Sequence, residues 1–191
     1  MATTKQTPKP NAEEVGTSIK TGKVRFSYCH VFEPSAMKDV PNAPSKYSVN
    51  LIIRKDDKIT LERIKAAIIA AAEAGKSTKF GGKVPLNYKQ PLRDGDTERA
   101  DDSDYAGCFF LNASSNTKPG IVDKDRQPIL DTTEFYSGCY GRASINFYAF
   151  NTAGNKGVAA GLNNLQKLED GEALAGRVSA EEDFADDDDM L

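Results

Sequence analysis

Only one stretch of this chain repeats its apolar residues at helical spacing: residues 58–74, where Leu61, Ile64, Ile68 and Ala71 fall on one face. Asp57 supplies a capping side chain before it and Gly75 a stop after it. The rest of the body reads as short strands. In GKVRFSYCHVF (residues 22–32), Val24, Phe26, Tyr28 and Phe32 share one face, and Lys23, Arg25 and Ser27 the other. Further strands are expected at Tyr47–Ile53, Ala106–Ala113, Ile121–Val122, Ile129–Leu130, Gly141–Phe150 and Gly157–Leu168. The turn NTAGNKG (residues 151–157) joins the last two. Proline and glycine punctuate residues 81–95, which predicts a long ordered loop. Several strands with one Ala-rich helix inserted predict a mainly β fold, a small barrel or a curled antiparallel sheet.

The length of 191 residues suits one domain. Residues 1–21 show no apolar period and are expected to form a flexible arm, residues 22–178 the folded unit, and residues 179–191 a disordered acidic tail. The net charge of -3 is unevenly placed: the last eleven residues carry seven acids and no base, leaving 25 basic against 21 acidic residues before them. A mildly basic body with a polyanionic tail points to an anionic partner for the body. No stretch of 18 apolar residues is present, so a membrane-spanning helix is not expected. MATTKQTPKPNAEE does not read as a secretory signal. Three scattered cysteines, Cys29, Cys108 and Cys139, are not a disulfide framework and fit a reducing cytoplasm.

Catalytic signals are weak. The single histidine, His30, adjoins Cys29, and strand neighbours point to opposite faces, so they form no dyad. A Cys₃His zinc site lacks its CxxC spacing. Asp94, Asp96, Glu98, Asp101, Asp102 and Asp104 cluster, but a calcium loop fails because Arg99 and Tyr105 occupy the sixth and twelfth positions. GGK at residues 81–83 lacks the rest of a phosphate-binding loop. No cofactor and no enzyme activity are expected.

The positive signal is a pairing of basic and aromatic residues. Residues 15–32, 40–55, 74–93 and 135–168 contain no acid, yet hold 14 basic side chains and 12 of the 16 aromatics. Single-stranded nucleic acid needs that pairing: cations neutralise its phosphates, and rings stack on its bases at about 1–3 kcal/mol each. Stacking ignores base identity, so such binding tolerates any sequence. The candidate contacts are Lys23 and Arg25, then Lys46 and Tyr47, then Lys76, Lys79, Phe80, Lys83, Tyr88, Lys89 and Arg93 in KSTKFGGKVPLNYKQPLR, and finally Tyr136, Tyr140, Arg142 and Tyr148 in FYSGCYGRASINFYAF. A solvated loop is the plain alternative for the third group. In the last group, Ala143, Ile145, Phe147 and Ala149 would face the core, and Arg142, Ser144, Asn146, Tyr148 and Phe150 the other way. That second face is either a stacking platform or another buried surface, against the helix. In the tail, Glu181, Glu182, Asp183, Asp186, Asp187, Asp188 and Asp189 surround the apolar anchors Phe184, Met190 and Leu191. Such a tail competes with DNA for a basic groove or recruits basic pockets on partners.

Three segments carry a family resemblance: YSGCYGRASINFYAFNTAGNKGVAAGLNNLQKLEDGEALAGR (residues 136–177), KFGGKVPLNYKQPLRDGD (residues 79–96) and RFSYCHVFEP (residues 25–34). Together they resemble a family of phage and prophage single-stranded DNA-binding proteins related to the replication protein of podoviruses. The resemblance implies an OB-fold barrel that coats single-stranded DNA in replication, recombination or repair, inside a bacterial host cell. It also implies an acidic tail that limits DNA binding and meets phage or host replication and recombination proteins. Related tails commonly end in an aromatic residue, whereas this one ends in Met190-Leu191. A homodimer is possible on this reading. Two other readings remain at this stage: a metal-dependent nuclease built on the Asp94–Asp104 cluster, and a recombination mediator that binds little DNA itself.

Overall fold

A computed structural model describes residues 16–36 and 40–174. The acidic tail and residues 1–15 of the expected arm lie outside the described residues. The elements are β1 (Ser18–Lys20), β2 (Val24–Ser35), β3 (Lys46–Arg54), α1 (Lys58–Ala74), β4 (Arg93–Asp94), α2 (Gly95–Glu98), a 3₁₀ turn (Ser103–Tyr105), β5 (Cys108–Ser115), β6 (Gly120–Val122), β7 (Tyr140–Thr152) and β8 (Asn155–Glu169). The strands run in the order β1-β7-β2-β3-β5-β8-β6, and β7 pairs a second time, with β8. Strands β7, β2, β3, β5 and β8 thereby close into a five-stranded barrel of the OB type. One joint of this ring is parallel, where Ala113 and Ser114 of β5 meet Ala160 and Gly161 of β8. Closure satisfies the backbone groups that an open sheet would leave at its edges.

Helix α1 has the bounds read from its spacing. The Asp57 carboxylate accepts from Thr60 N at 3.1 Å, and Gly75 N donates to Ala71 O at 3.0 Å. Its buried face carries Leu61, Ile64, Ala67, Ile68, Ala71 and Ala72, packed toward β7, β8 and β1. Small side chains permit this approach: a Cβ on Gly75 would collide with Ala149.

The hairpin β7–β8 follows the expected alternation. Ala143, Ile145, Phe147 and Ala149 are buried, while Arg142 and Tyr148 are exposed and Ser144, Asn146 and Phe150 half-buried. Ala153 and Gly154 turn the hairpin with φ of 50° and 86°, the left-handed pair that a two-residue turn demands. The expected strand Ile129–Leu130 does not form. Ile129 N donates to Ile121 O at 2.9 Å, and Leu130 is exposed.

Two further expectations are corrected. The folded unit does not start at residue 22: Ser18–Lys20 pair with Ser144–Asn146 of β7. Thr21, fully buried, exchanges bonds with Ala143, donating through N to Ala143 O and accepting through Oγ1 from Ala143 N, both at 3.0 Å. Tyr28 does not share a face with Phe26. Its φ is +47° and the β2–β3 register shifts after Ser27, so the bulge turns Tyr28 outward and puts Val31 in the core. Phe26 stays inside, its ring centroid 4.9 Å from that of Phe135.

Burial also decides the cysteines. It pushes the Cys29 thiol up to about 12 and raises Cys108 and Cys139. The folded chain therefore resists thiol ionisation while the unfolded chain ionises near 9. The stability this confers on the fold is present below pH 9 and falls away as pH rises towards 12. In urea titrations over this range, Cys29→Ala should flatten the alkaline fall; an unchanged slope would contradict the assignment. Separately, a Cβ on Gly141 would strike Gln166 O and the Phe26 ring, so Gly141→Ala should cost about 1–3 kcal/mol. An unaltered urea midpoint would show that β7 and β8 are less closely packed at this pair.

Candidate nucleic-acid interface

A cleft of about 530 Å³ lies on the outer surface of the barrel, crossing β3, β5 and β8. Its floor comes from alternate residues of paired strands. Asn50 of β3 lies opposite Asn112 of β5, and Phe110 and Ser114 follow on the same face. The opposite face of these strands carries Val49, Leu51, Leu111 and Ala113, all buried in the core. Asn50 is held from below, its Oδ1 accepting from the buried Tyr105 hydroxyl at 3.2 Å. One wall is Tyr28, turned out by the bulge, and the other is Phe150 with Ala159. Tyr148 pairs with Ala159, which puts its ring, 42% exposed, on the cleft side of the hairpin.

The chain from residue 89 to residue 99 supplies Lys89, Gln90, Pro91, Arg93 and Arg99 to the rim, and among the described residues no acid lines the cleft. Both guanidiniums rest on rings. Arg93 lies 5.1 Å from the Phe110 centroid, and Arg99 lies 5.0, 5.5 and 5.5 Å from those of Tyr105, Phe110 and Tyr28. Arg99 also donates to the Tyr28 hydroxyl at 3.3 Å, a bond that raises its pKa further. Arg93 pairs with Glu98, but both side chains are solvent-accessible, so the pair is worth about 0–1 kcal/mol and yields readily to a phosphate.

The structure divides the residues singled out by the sequence. Lys89 and Arg93 line the cleft, and Tyr148 borders it. Lys46 shares the alternating face of Ser48 and Asn50, whereas Tyr47 lies on the core side with Val49. Lys76, Lys79 and Lys83 are exposed on the loop after α1, which Asn151 tethers by donating to Lys79 O at 3.1 Å. Phe80 is corrected: it is 3% exposed within the core, 6.2 Å from the half-buried Tyr88 ring, and offers no face to a base. Burying such a ring stabilises the fold by about 1.5–3 kcal/mol, which decides its place.

Lys23, Arg25, Tyr136 and Tyr140 assemble elsewhere, at the start of β7, where Arg25 and Lys23 lie 5.5 and 5.8 Å from the Tyr140 centroid. They fasten the segment after β8. Arg25 donates to Gly138 O and Glu172 O, Lys23 pairs with Glu169 at 2.9 Å, and the Tyr136 hydroxyl meets Asp170 at 3.0 Å. Arg142 opens on a separate groove, with Nε donating to Thr21 O at 3.0 Å.

Sequence reasoning missed Tyr28, Asn50, Arg99, Phe110, Asn112 and Ser114 as site residues. A signal was present for one of them: Asn50 is a lone amide in the apolar run YSVNLII. The acidic cluster is tied into ion pairs and caps. Lys55 meets Asp94 at 2.8 Å and Asp96 at 2.7 Å, which lowers the Asp96 pKa. Asp94 and Asp102 accept from the backbone of Asp96 and Asp104, and Asp104 faces Arg25 at 3.6 Å. No group of three or more potential metal ligands forms among the described residues.

A profile described as Enterobacter phage Enc34, ssDNA-binding protein matches residues 17–191. Protein p50 of Acyrthosiphon pisum secondary endosymbiont phage 1 is 33% identical over 175 residues, covering 88% of this chain and 92% of its own. The single-stranded DNA-binding protein of bacteriophage Enc34, solved in complex with ssDNA, superposes with a TM-score of 0.74 at 24% identity, over 83% of this chain and 90% of that one. The gp2.5 single-stranded DNA-binding protein of bacteriophage T7 follows at 0.58 and 15%, over 86% and 98%. These two structural likenesses show the shared fold. Matched along nearly its whole described length, the chain belongs to the Enterobacter phage Enc34 ssDNA-binding protein family.

Proposed function

We propose that this protein binds single-stranded DNA without sequence preference, seating the strand in the cleft between Tyr28 and Phe150. The observation that carries this reading is the make-up of the cleft: Lys89, Arg93 and Arg99, the rings of Tyr28 and Phe150, and no acid among its described lining residues. Phosphates meet the cations with release of counterions, and bases meet rings that accept any base. The amides of Asn50 and Asn112 offer hydrogen bonds along the floor. The relative from phage Enc34, solved with ssDNA bound, supports the same use of this fold. In this reading the protein coats exposed strands during phage replication or recombination in the host cell. The tail, with seven acids and no base, competes for the cleft and meets basic pockets on replication proteins.

Titration of poly-dT at several salt concentrations tests the reading. If about five phosphates are neutralised, log K should fall against log salt with a slope near ~-3.5. A flat response would remove phosphate contacts as the main attraction. Tyr28→Ala and Phe150→Ala should each weaken binding by about 1–3 kcal/mol. Full affinity in both variants would end the cleft assignment.

Deletion of residues 181–191 should tighten binding, most at low salt. Equal or weaker binding by the truncated chain would refute competition by the tail.

A further inference from the structure

A second groove, of about 310 Å³, is lined by Lys20, Val122, Arg126, Arg142, Ser144, Asn164 and Gln166 among others. It brings together three cations from β1, from the turn after β6 and from β7. None of them forms an ion pair among the described residues. Two acids stand in that turn and neither lines the groove: the Asp123 carboxylate accepts from Asp125 N and Gln127 N at 2.8 and 2.9 Å, and Asp125, next to Arg126, is exposed. The Gln166 amide donates to Asp123 O and Lys124 O, fixing the turn that presents Arg126 at a φ of 65°.

This groove and the cleft occupy one continuous face. Along the β7–β8 hairpin the outward pairs are Phe150–Gly157, Tyr148–Ala159, Asn146–Gly161, Ser144–Asn164 and Arg142–Gln166. The first two border the cleft and the last two line the second groove. Between them stand only Asn146 and Gly161, so among the described residues no negative charge interrupts this path. Eight residues of strand separate Phe150 from Arg142, roughly 26 Å of extended backbone.

We propose that the second groove is a phosphate-binding extension of the cleft, holding the backbone of the same DNA strand as it leaves the stacking rings. The inference rests on the cleft reading given above. The two grooves divide the labour: the cleft has rings and cations, whereas the second groove has cations and amides but no aromatic lining. It therefore grips the sugar–phosphate chain and not the bases, and it adds affinity only for strands long enough to reach it.

The test uses the full chain and a double variant, Lys20→Ala with Arg126→Ala, which leaves the Arg142 bond to Thr21 intact. Oligo-dT of about 4 and about 20 nucleotides brackets the reach of one barrel. The short strand should bind both proteins alike. The long strand should bind the variant about ten-fold more weakly at low salt, with a salt slope shallower by about 1.4, or ~0.7 for each lost contact. Equal binding of the long strand by both proteins would overturn the proposal, and so would an equal loss on both lengths. If the unmodified protein bound neither strand, the cleft reading would fail first, and this inference with it.

Discussion

Closure of the barrel by the β7–β8 hairpin governs everything else in this molecule. Each of these strands pairs with the other and with a further member of the ring, β7 with β2 and β8 with β5. Once those hydrogen bonds fix the register, alternation assigns every side chain to the inside or the outside. Ala143, Ile145, Phe147 and Ala149 fill the interior with Val49, Leu51 and Leu111. The residues between them are released from packing duty, and these outward positions form the cleft and the path beside it.

Magnitudes explain why this outer face suits a polyanion. The guanidiniums of Arg93 and Arg99 are seated on rings, an arrangement worth about 0.5–2 kcal/mol that limits their freedom before any ligand arrives. The one carboxylate paired with them, Glu98, sits in an accessible ion pair of small net value. By contrast, Arg25 is less exposed and is bound by two backbone carbonyls as well as Asp104. All three are arginines beside aromatic rings, yet Arg25 is engaged by its own fold, whereas Arg93 and Arg99 stand at the rim of the cleft.

Much of this was readable in the residue order. The bounds of α1 followed from its spacing and from Asp57 and Gly75, and the two faces of β7 followed from alternation, because each rests on a local period. Tyr28 was not readable: a single residue at positive φ inverts the strand, and no neighbouring glycine announces it. Phe80 misled because its loop is basic and glycine-rich, while its burial depends on a core assembled from distant segments. The cleft itself draws on residues 28, 50, 89–99, 110–114 and 150–160. Only the folded ring brings these together, so the residue order could not locate the cleft.

The topology also bears on how the molecule is made. Ser18 pairs with Asn146, and Thr21 locks onto Ala143, so the first strand finds its neighbour more than a hundred residues later. A ring of this kind has high contact order, and its loop-closure entropy must be met before the distant pairings stabilise it. On the ribosome, β2 and β3 can pair early, but the barrel cannot shut until β7 and β8 have emerged. The nascent chain therefore passes through a long interval with unpaired strand edges, in which helix α1 and the antiparallel strands β2, β3 and β5 are the structures able to form.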